Sequence, residues 1–194
     1  MKQRLKQALS QRKKQRIVDA SRTSAAVLVP IYYQQGQYYI LLIKRTELVE
    51  KHKGEISFPG GARDEGDRTL LDTALRESAE EIGLMPDKVE TLGELDDEVS
   101  VKTNYIITPF VGLIPWPYQF KVDGEETEEI IEAPILVLQD KGYSHQEIRD
   151  GKMVTSYFYN YQGRVIWGAT ARILNKFLGI FAEAMRKKVK ENKS

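Results

Sequence analysis

A chain of 194 residues, at roughly 150 residues per domain, has room for one compact domain with a real core, and two are not expected. It contains no cysteine, which excludes a disulfide framework, a thiolate metal site and a cysteine nucleophile, so any metal must be held by oxygen or histidine and is expected to be a hard cation. Its 29 basic and 28 acidic residues leave a net charge of +1, which gives no general pull toward nucleic acid or an anionic membrane.

The first 22 residues are a basic segment, with Lys2, Arg4, Lys6, Arg12, Lys13, Lys14, Arg16 and Arg22 set against Asp19. Leu5, Leu9 and Ile17 are spaced loosely along one helical face, so a solvated helix packed by a thin apolar edge is expected. No aromatic residue interleaves these charges, which argues against a nucleic-acid arm. Residues 23–194 are read as the remaining domain. Ala25–Val29 and Tyr38–Ile43 predict buried strands joined by a polar turn at Gln34–Gln37. These apolar runs are too short to span a bilayer, and no apolar stretch follows the basic N-terminus, so a cytoplasmic protein without membrane contact is expected.

Next comes FPGGARDEGDRTLLDTALRESAEEIGL, Phe58 to Leu84. Placed on a helix from Asp67 to Ile82, Leu71, Leu75, Ala79 and Ile82 fall on one side, and Thr73, Glu77, Glu80 and Glu81 on the other. A solvated acidic face is the plain reading. Against it, like charges at i, i+3 and i+4 each cost about 0.2–0.5 kcal/mol, and they crowd the end of the helix where the dipole disfavours anions. A bound cation reverses that penalty, and carboxylates without soft ligands suit Mg²⁺ or Mn²⁺. Gly60 and Gly61 let backbone approach the same place, offering carbonyls to metal or amides to phosphate.

Downstream lie an acidic loop at Glu94–Glu98, a strand near Ile106–Ile114, an acidic run at Asp123–Glu132 and a strand near Val154–Tyr161. A final helix is expected from an N-cap at Thr170, with Ile173, Leu174, Phe177, Phe181 and Met185 on one face. The acidic loops read as solvated. Strands flanked by helical segments imply an α/β fold with a mixed sheet covered on both faces.

The stretch from Gly61 to Leu84 resembles the signature of the Nudix hydrolases. Gly61 is followed after five residues by an acid, Asp67, and then by Arg76-Glu77-Ser78-Ala79-Glu80-Glu81-Ile82-Gly83-Leu84, with Ser78 in an apolar place. Asp67 stands where the family usually has Glu, and eight residues rather than seven separate it from Arg76. That longer loop is similar to the branch of the family that cleaves coenzyme A. Leu41-Leu-Ile-Lys-Arg-Thr46 and Leu48 to Gly61 resemble the extended motif preceding the box in coenzyme A diphosphatases. Ile107–Gly112, Glu126–Ile135 and Ile166–Ala171 resemble further segments of that branch, so the likeness covers roughly residues 24 to 180.

The resemblance implies an α/β/α sandwich of Nudix type with a mixed central sheet. It implies that Glu77, Glu80 and Glu81, together with Gly61, hold Mg²⁺ or Mn²⁺, and that these glutamates and Arg76 are the catalytic residues. The implied reaction is attack of water on a diphosphate. For coenzyme A it gives adenosine 3′,5′-bisphosphate and 4′-phosphopantetheine. Arg45, His52, Gly60, Gly61 and Arg63 are the expected substrate-binding residues, since so many phosphate charges need cationic and backbone partners. Glu77 ranks first as ligand or general base, with Glu98, Glu126 and Glu129 the alternatives. Trp116–Phe120 and Trp167 offer rings to a substrate or to core packing.

The expected partner is a small molecule, with association of two copies left open. One rival function is a diphosphatase of ADP-ribose, NADH or dinucleoside polyphosphates. A second is a nucleotide-sensing Nudix module without activity, which would be expected to lack one of the helix carboxylates.

Overall fold

The computed structural model describes residues 2–47, 54–100, 103–149 and 151–191, with the backbone alone described for 149, 152 and 187–191. At its centre is a mixed sheet built on two long strands, β1 (Thr23–Gln34) and β7 (Tyr105–Leu113), paired parallel from Thr23↔Tyr105 to Ile31↔Leu113. The other edge of β1 changes partner along its length. Its first half takes β4 (Gly60–Ala62), and its second half takes β2 (Gln37–Arg45) through a hairpin turning at Gln35 and Gly36. Strands β5 (Glu90–Glu94) and β6 (Glu98–Ser100) share the far edge of β7. Strands β3 (Ile56–Ser57) and β8 (Thr127–Pro134) pair with β2.

Successive residues of a strand point to opposite faces, so a strand covered on both sides is apolar at every position. In β1, Val29 and Ile31 enter one core while Ala26, Leu28 and Tyr32 enter the other; β2 divides Ile40 and Leu42 from Leu41 and Ile43. Helix α2 (Leu70–Ile82) covers the second face with Ala74 and Ile82. The first face is covered by α4 (Gly168–Glu191) through Ile173, Leu174, Phe177 and Phe181, with Leu5 and Leu9 of α1 (Lys2–Ser10) in the same core. The result is the expected α/β/α sandwich with a mixed sheet.

Several elements differ from the sequence reading. The N-terminal helix ends at Ser10, before Ile17, so its apolar edge is Leu5 and Leu9 alone. Helix α2 starts at Leu70 because Thr69 closes a capping box with Asp72, leaving Asp67 in the preceding loop. Helix α4 starts two residues before Thr170. Much of the acidic run after Asp123 is strand β8. A short helix α3 (Ile135–Lys141) and a separate sheet of β9 (Gly142–Arg149), β10 (Lys152–Tyr161) and β11 (Arg164–Ile166) complete the described chain. No helix among the described residues is long and apolar enough to cross a membrane.

Candidate active site

Helix α2 lies close to β1 and β4 because its inner residues are small. Ala74 and Ser78 are fully buried, and the Ser78 hydroxyl donates to the Ala74 carbonyl at 2.6 Å, which satisfies a polar group at an apolar position. The next residue on that inner face is Glu81, only 3% exposed. The clean division expected from periodicity is therefore corrected: Glu81 sits on the inner side, and Leu71 and Leu75 are half-buried at the flank. Close packing selects small residues at 74 and 78, and Glu81 is accepted because its carboxylate is bonded. It receives the Gly60 N–H at 2.9 Å and the Arg45 guanidinium at 3.2 Å.

The glycine pair has two distinct reasons. A side chain on Gly60, at φ 147°, would collide with the Ala26 carbonyl. On Gly61 a Cβ would stand 2.5 Å from the Glu77 carboxylate. The loop therefore carries no side chain between β1 and the acids of α2.

Arg76 organises the helix side. Its Nε and Nη2 each bond one oxygen of Asp67 at 3.0 Å, Nη1 reaches Glu77 at 2.8 Å and Glu80 at 2.9 Å, and Nη2 also bonds the Ala62 carbonyl at 3.3 Å. Asp67, 7% exposed, also receives the Asp64 N–H at 2.9 Å. The Arg76 guanidinium holds the Asp67 carboxyl well below the usual carboxylate range. Asp67 thus ties the loop to α2, despite its shorter side chain and the longer spacing.

Glu77 and Glu81 shift in the direction opposite to Asp67. Burial raises the pKa of Glu77 above the ordinary carboxylate value, against the pull of Arg76. Burial pushes Glu81 up to about 8 even with the Gly60 N–H and Arg45 beside it, and the charges of Glu77 and Glu126 add to the rise. Glu126 reaches the site through Arg45, whose Nη2 bonds it at 2.8 Å. Among the described residues no three Asp, Glu or His side chains converge tightly enough to cage a cation unaided. The donor set nevertheless fits a hard divalent cation, being oxygen-only, glycine-lined and short of positive charge.

These groups border a cavity of about 990 Å³, at the large end of small-molecule sites. Arg45, Gly60, Gly61, Glu77 and Glu126 line one part of it. Ile56, Phe58, Ile107, Tyr157, Phe158 and Trp167 supply an apolar and aromatic wall. The strand at Tyr157 is expected from the sequence, its use as a wall is not, and its run of aromatic residues is the cue.

Of the expected substrate-binding residues, Arg45, Gly60 and Gly61 are brought together, and His52 lies outside the described residues. Arg63 is not brought in: it is exposed, bonds the backbone carbonyls of Asp67 and Arg68, and does not line the cavity. Glu80 is the most exposed of the box glutamates, its side chain 59% accessible.

Among the base candidates, Glu98 is paired with Arg172 and Lys176, and Glu129 is held by Arg164; neither lines the cavity, whereas Glu77 and Glu126 do. The loop holding Glu98 is also not solvated. Asp96, Asp97 and Glu98 are each 7% exposed, because basic residues of the N-terminal segment and α4 close over them. Trp116 stacks on buried Tyr32 at 4.2 Å, and the Tyr118 hydroxyl donates to the Gly83 carbonyl, so this aromatic stretch is packing.

The NUDIX domain family matches residues 22–148. The uncharacterized Nudix hydrolase NudL of Photorhabdus laumondii is 36% identical over 154 residues, covering 78% of this chain and 81% of its own. A MutT/nudix family protein from Enterococcus faecalis superposes with a TM-score of 0.58 at 15% identity, over 91% of this chain and 66% of that one. The NUDIX domain of Shewanella oneidensis NrtR, complexed with ADP ribose, gives 0.51 at 20% identity over 63% and 79%. These two structural likenesses bear on the fold.

Proposed function

The chain belongs to the Nudix hydrolase family, enzymes acting on diphosphate bonds, and from that premise we propose that it hydrolyses the diphosphate of coenzyme A or its derivatives. The products are adenosine 3′,5′-bisphosphate and 4′-phosphopantetheine. The observation that carries this reading is the cavity, in which a carboxylate-and-glycine pole continues into an apolar, aromatic wall. A substrate joining a diphosphate to a long, largely uncharged arm uses both; a bare dinucleotide has less use for Ile56, Phe58 and Phe158.

Glu77, Glu80 and Glu81, with the Gly61 carbonyl, would hold Mg²⁺ or Mn²⁺, which when bound neutralises the leaving phosphate and lowers the pKa of a bound water. The chain's own residues do the rest. Gly60 fixes the Glu81 carboxylate through its N–H, and Asp67 fixes Arg76, which in turn positions Glu77 and Glu80. Arg45, which bridges Glu81 and Glu126, lines the cavity beside the box glutamates and would meet the cleaved phosphates there. Glu77 and Glu126 border the cavity and are the acceptors for the attacking water's proton. Water adds to phosphorus, the bridging P–O bond breaks, and the departing phosphate keeps the bonding pair.

The test is chromatography of products after incubating the protein and Mg²⁺ or Mn²⁺ with coenzyme A, ADP-ribose, NADH and a diadenosine polyphosphate. Adenosine 3′,5′-bisphosphate is expected from coenzyme A and is expected to disappear with Glu81→Gln. Intact coenzyme A beside a cleaved ADP-ribose, NADH or dinucleotide would defeat the substrate assignment and leave the diphosphatase chemistry standing.

A further inference from the structure

The buried acids between β5 and β6 belong to an ion-pair network with more cations than anions. Glu94 pairs with Lys14 and Arg16, Asp96 with Arg12 and Lys176, Asp97 with Arg16, and Glu98 with Lys176 and Arg172. Among the described residues, five cations share four carboxylates. Of the five, Arg172 is the one that lines the cavity. Its Nε bonds Glu98 at 2.8 Å and its Nη2 bonds the Val99 carbonyl at 2.6 Å, which fixes the guanidinium and uses two of its five N–H donors. Ser100, Thr103 and Tyr105 line the same cavity, and the Thr103 hydroxyl donates to the Ser100 hydroxyl at 2.6 Å.

We infer that this part of the cavity binds an anion of the substrate separate from the cleaved diphosphate, a phosphomonoester on the nucleotide ribose, with Arg172 as its cation. The other cation lining the cavity among the described residues, Arg45, is paired with Glu81 and Glu126 and serves the cleaved diphosphate. Glu77 and Glu126 repel a second phosphate from their own part. Arg172 therefore carries the network's surplus charge to the one place where a planar, bidentate donor can meet a phosphate. The inference rests on the diphosphatase reading above and deepens it: a ribose phosphomonoester distinguishes coenzyme A from its dephosphorylated form, from ADP-ribose and from NADH. Glu98 acts as the positioning residue, with the Val99 carbonyl holding the other edge of the guanidinium.

The test is calorimetric titration of the protein in Mg²⁺ with adenosine 3′,5′-bisphosphate and with adenosine 5′-monophosphate. The wild type is expected to prefer the bisphosphate by about tenfold. Arg172→Gln removes that preference while leaving the monophosphate's affinity unchanged, and Arg172→Lys keeps part of it. Lys176→Gln disturbs the same loop and keeps the preference whole, as a merely structural network would not. Equal affinities in the wild type, retention of the preference in Arg172→Gln, or its equal loss in Lys176→Gln would each overturn the site. The product chromatography decides the substrate separately: coenzyme A cleaved without this preference sinks the Arg172 site alone, and the preference in an enzyme that spares coenzyme A sinks only the substrate.

Discussion

The chain carries two acidic clusters of similar composition with opposite electrostatics. On α2, Glu77, Glu80 and Glu81, together with Glu126, share Arg45 and Arg76, and Arg76 is already claimed by Asp67. Between β5 and β6, Glu94, Asp96, Asp97 and Glu98 are served by five cations, the Gln15 and Ile17 N–H groups and the Thr108 hydroxyl. The first cluster is short of positive charge and faces a cavity; the second is oversupplied and fastens the N-terminal segment and α4 to the sheet. Acid density therefore does not mark the site. What marks it, among the described residues, is countercharge left unsupplied.

The largest expected break in this comparison is Glu81→Gln. Hydrolysis should fall about a thousandfold, equivalent to about 4 kcal/mol of barrier, while the melting temperature in chelator does not fall, because a buried and undercompensated carboxyl has been removed. Full activity in that variant would move α2 into the structural class. Asp97→Ala should do the reverse. It strands the Ile17 N–H, Arg16 and the Thr108 hydroxyl, at a cost of about 3 kcal/mol. That is about 10 °C in melting temperature for a chain of this size, with kcat little changed.

Much of this was legible in the sequence, for reasons that can be stated. The glycine pair and the glutamate spacing are local, so periodicity alone puts the acids on one helix beside a bare loop. The strands of β1 and β2 announce themselves by uninterrupted apolar residues. Three things were not legible because they depend on contacts distant in sequence. Glu81 points inward because residues 74 and 78 let α2 settle onto the sheet. Asp96 and Asp97 are buried because a basic segment some 80 residues earlier closes on them. Arg63 turns to its own loop because its guanidinium is taken up by the Asp67 and Arg68 backbone carbonyls.

A titration sharpens the same contrast at smaller amplitude. Glu81 has a folded pKa pushed up to about 8, above the value of about 4.3 for a free glutamate. Its contribution is fully present below pH 4 and is lost as pH rises through 8. In chelator the wild type should therefore lose about 2 kcal/mol between pH 5 and 7, measured by urea denaturation, and Glu81→Gln should flatten that slope. Asp67 has the opposite sign. Arg76 depresses its pKa, so its stabilisation is complete above the ordinary carboxylate range and is lost only in acid. The slope between pH 5 and 7 cannot come from it. Mg²⁺ should raise stability more at pH 7 than at pH 5, since the cation competes with the proton held at Glu81.

The smallest expected effect separates two glutamates of one acidic run. Glu126 reaches Arg45 and the cavity, whereas three residues on, Glu129 is gripped by Arg164 through both oxygens at 2.8 Å, with side chains 42% and 32% accessible. An ion pair that exposed is worth less than about 1 kcal/mol. Glu129→Gln should leave kcat within about twofold, while Glu126→Gln should lower it at least about tenfold. Equal losses in the two variants would show that Glu129 leaves Arg164 during turnover, and the base would then be sought on β8 rather than just before that strand.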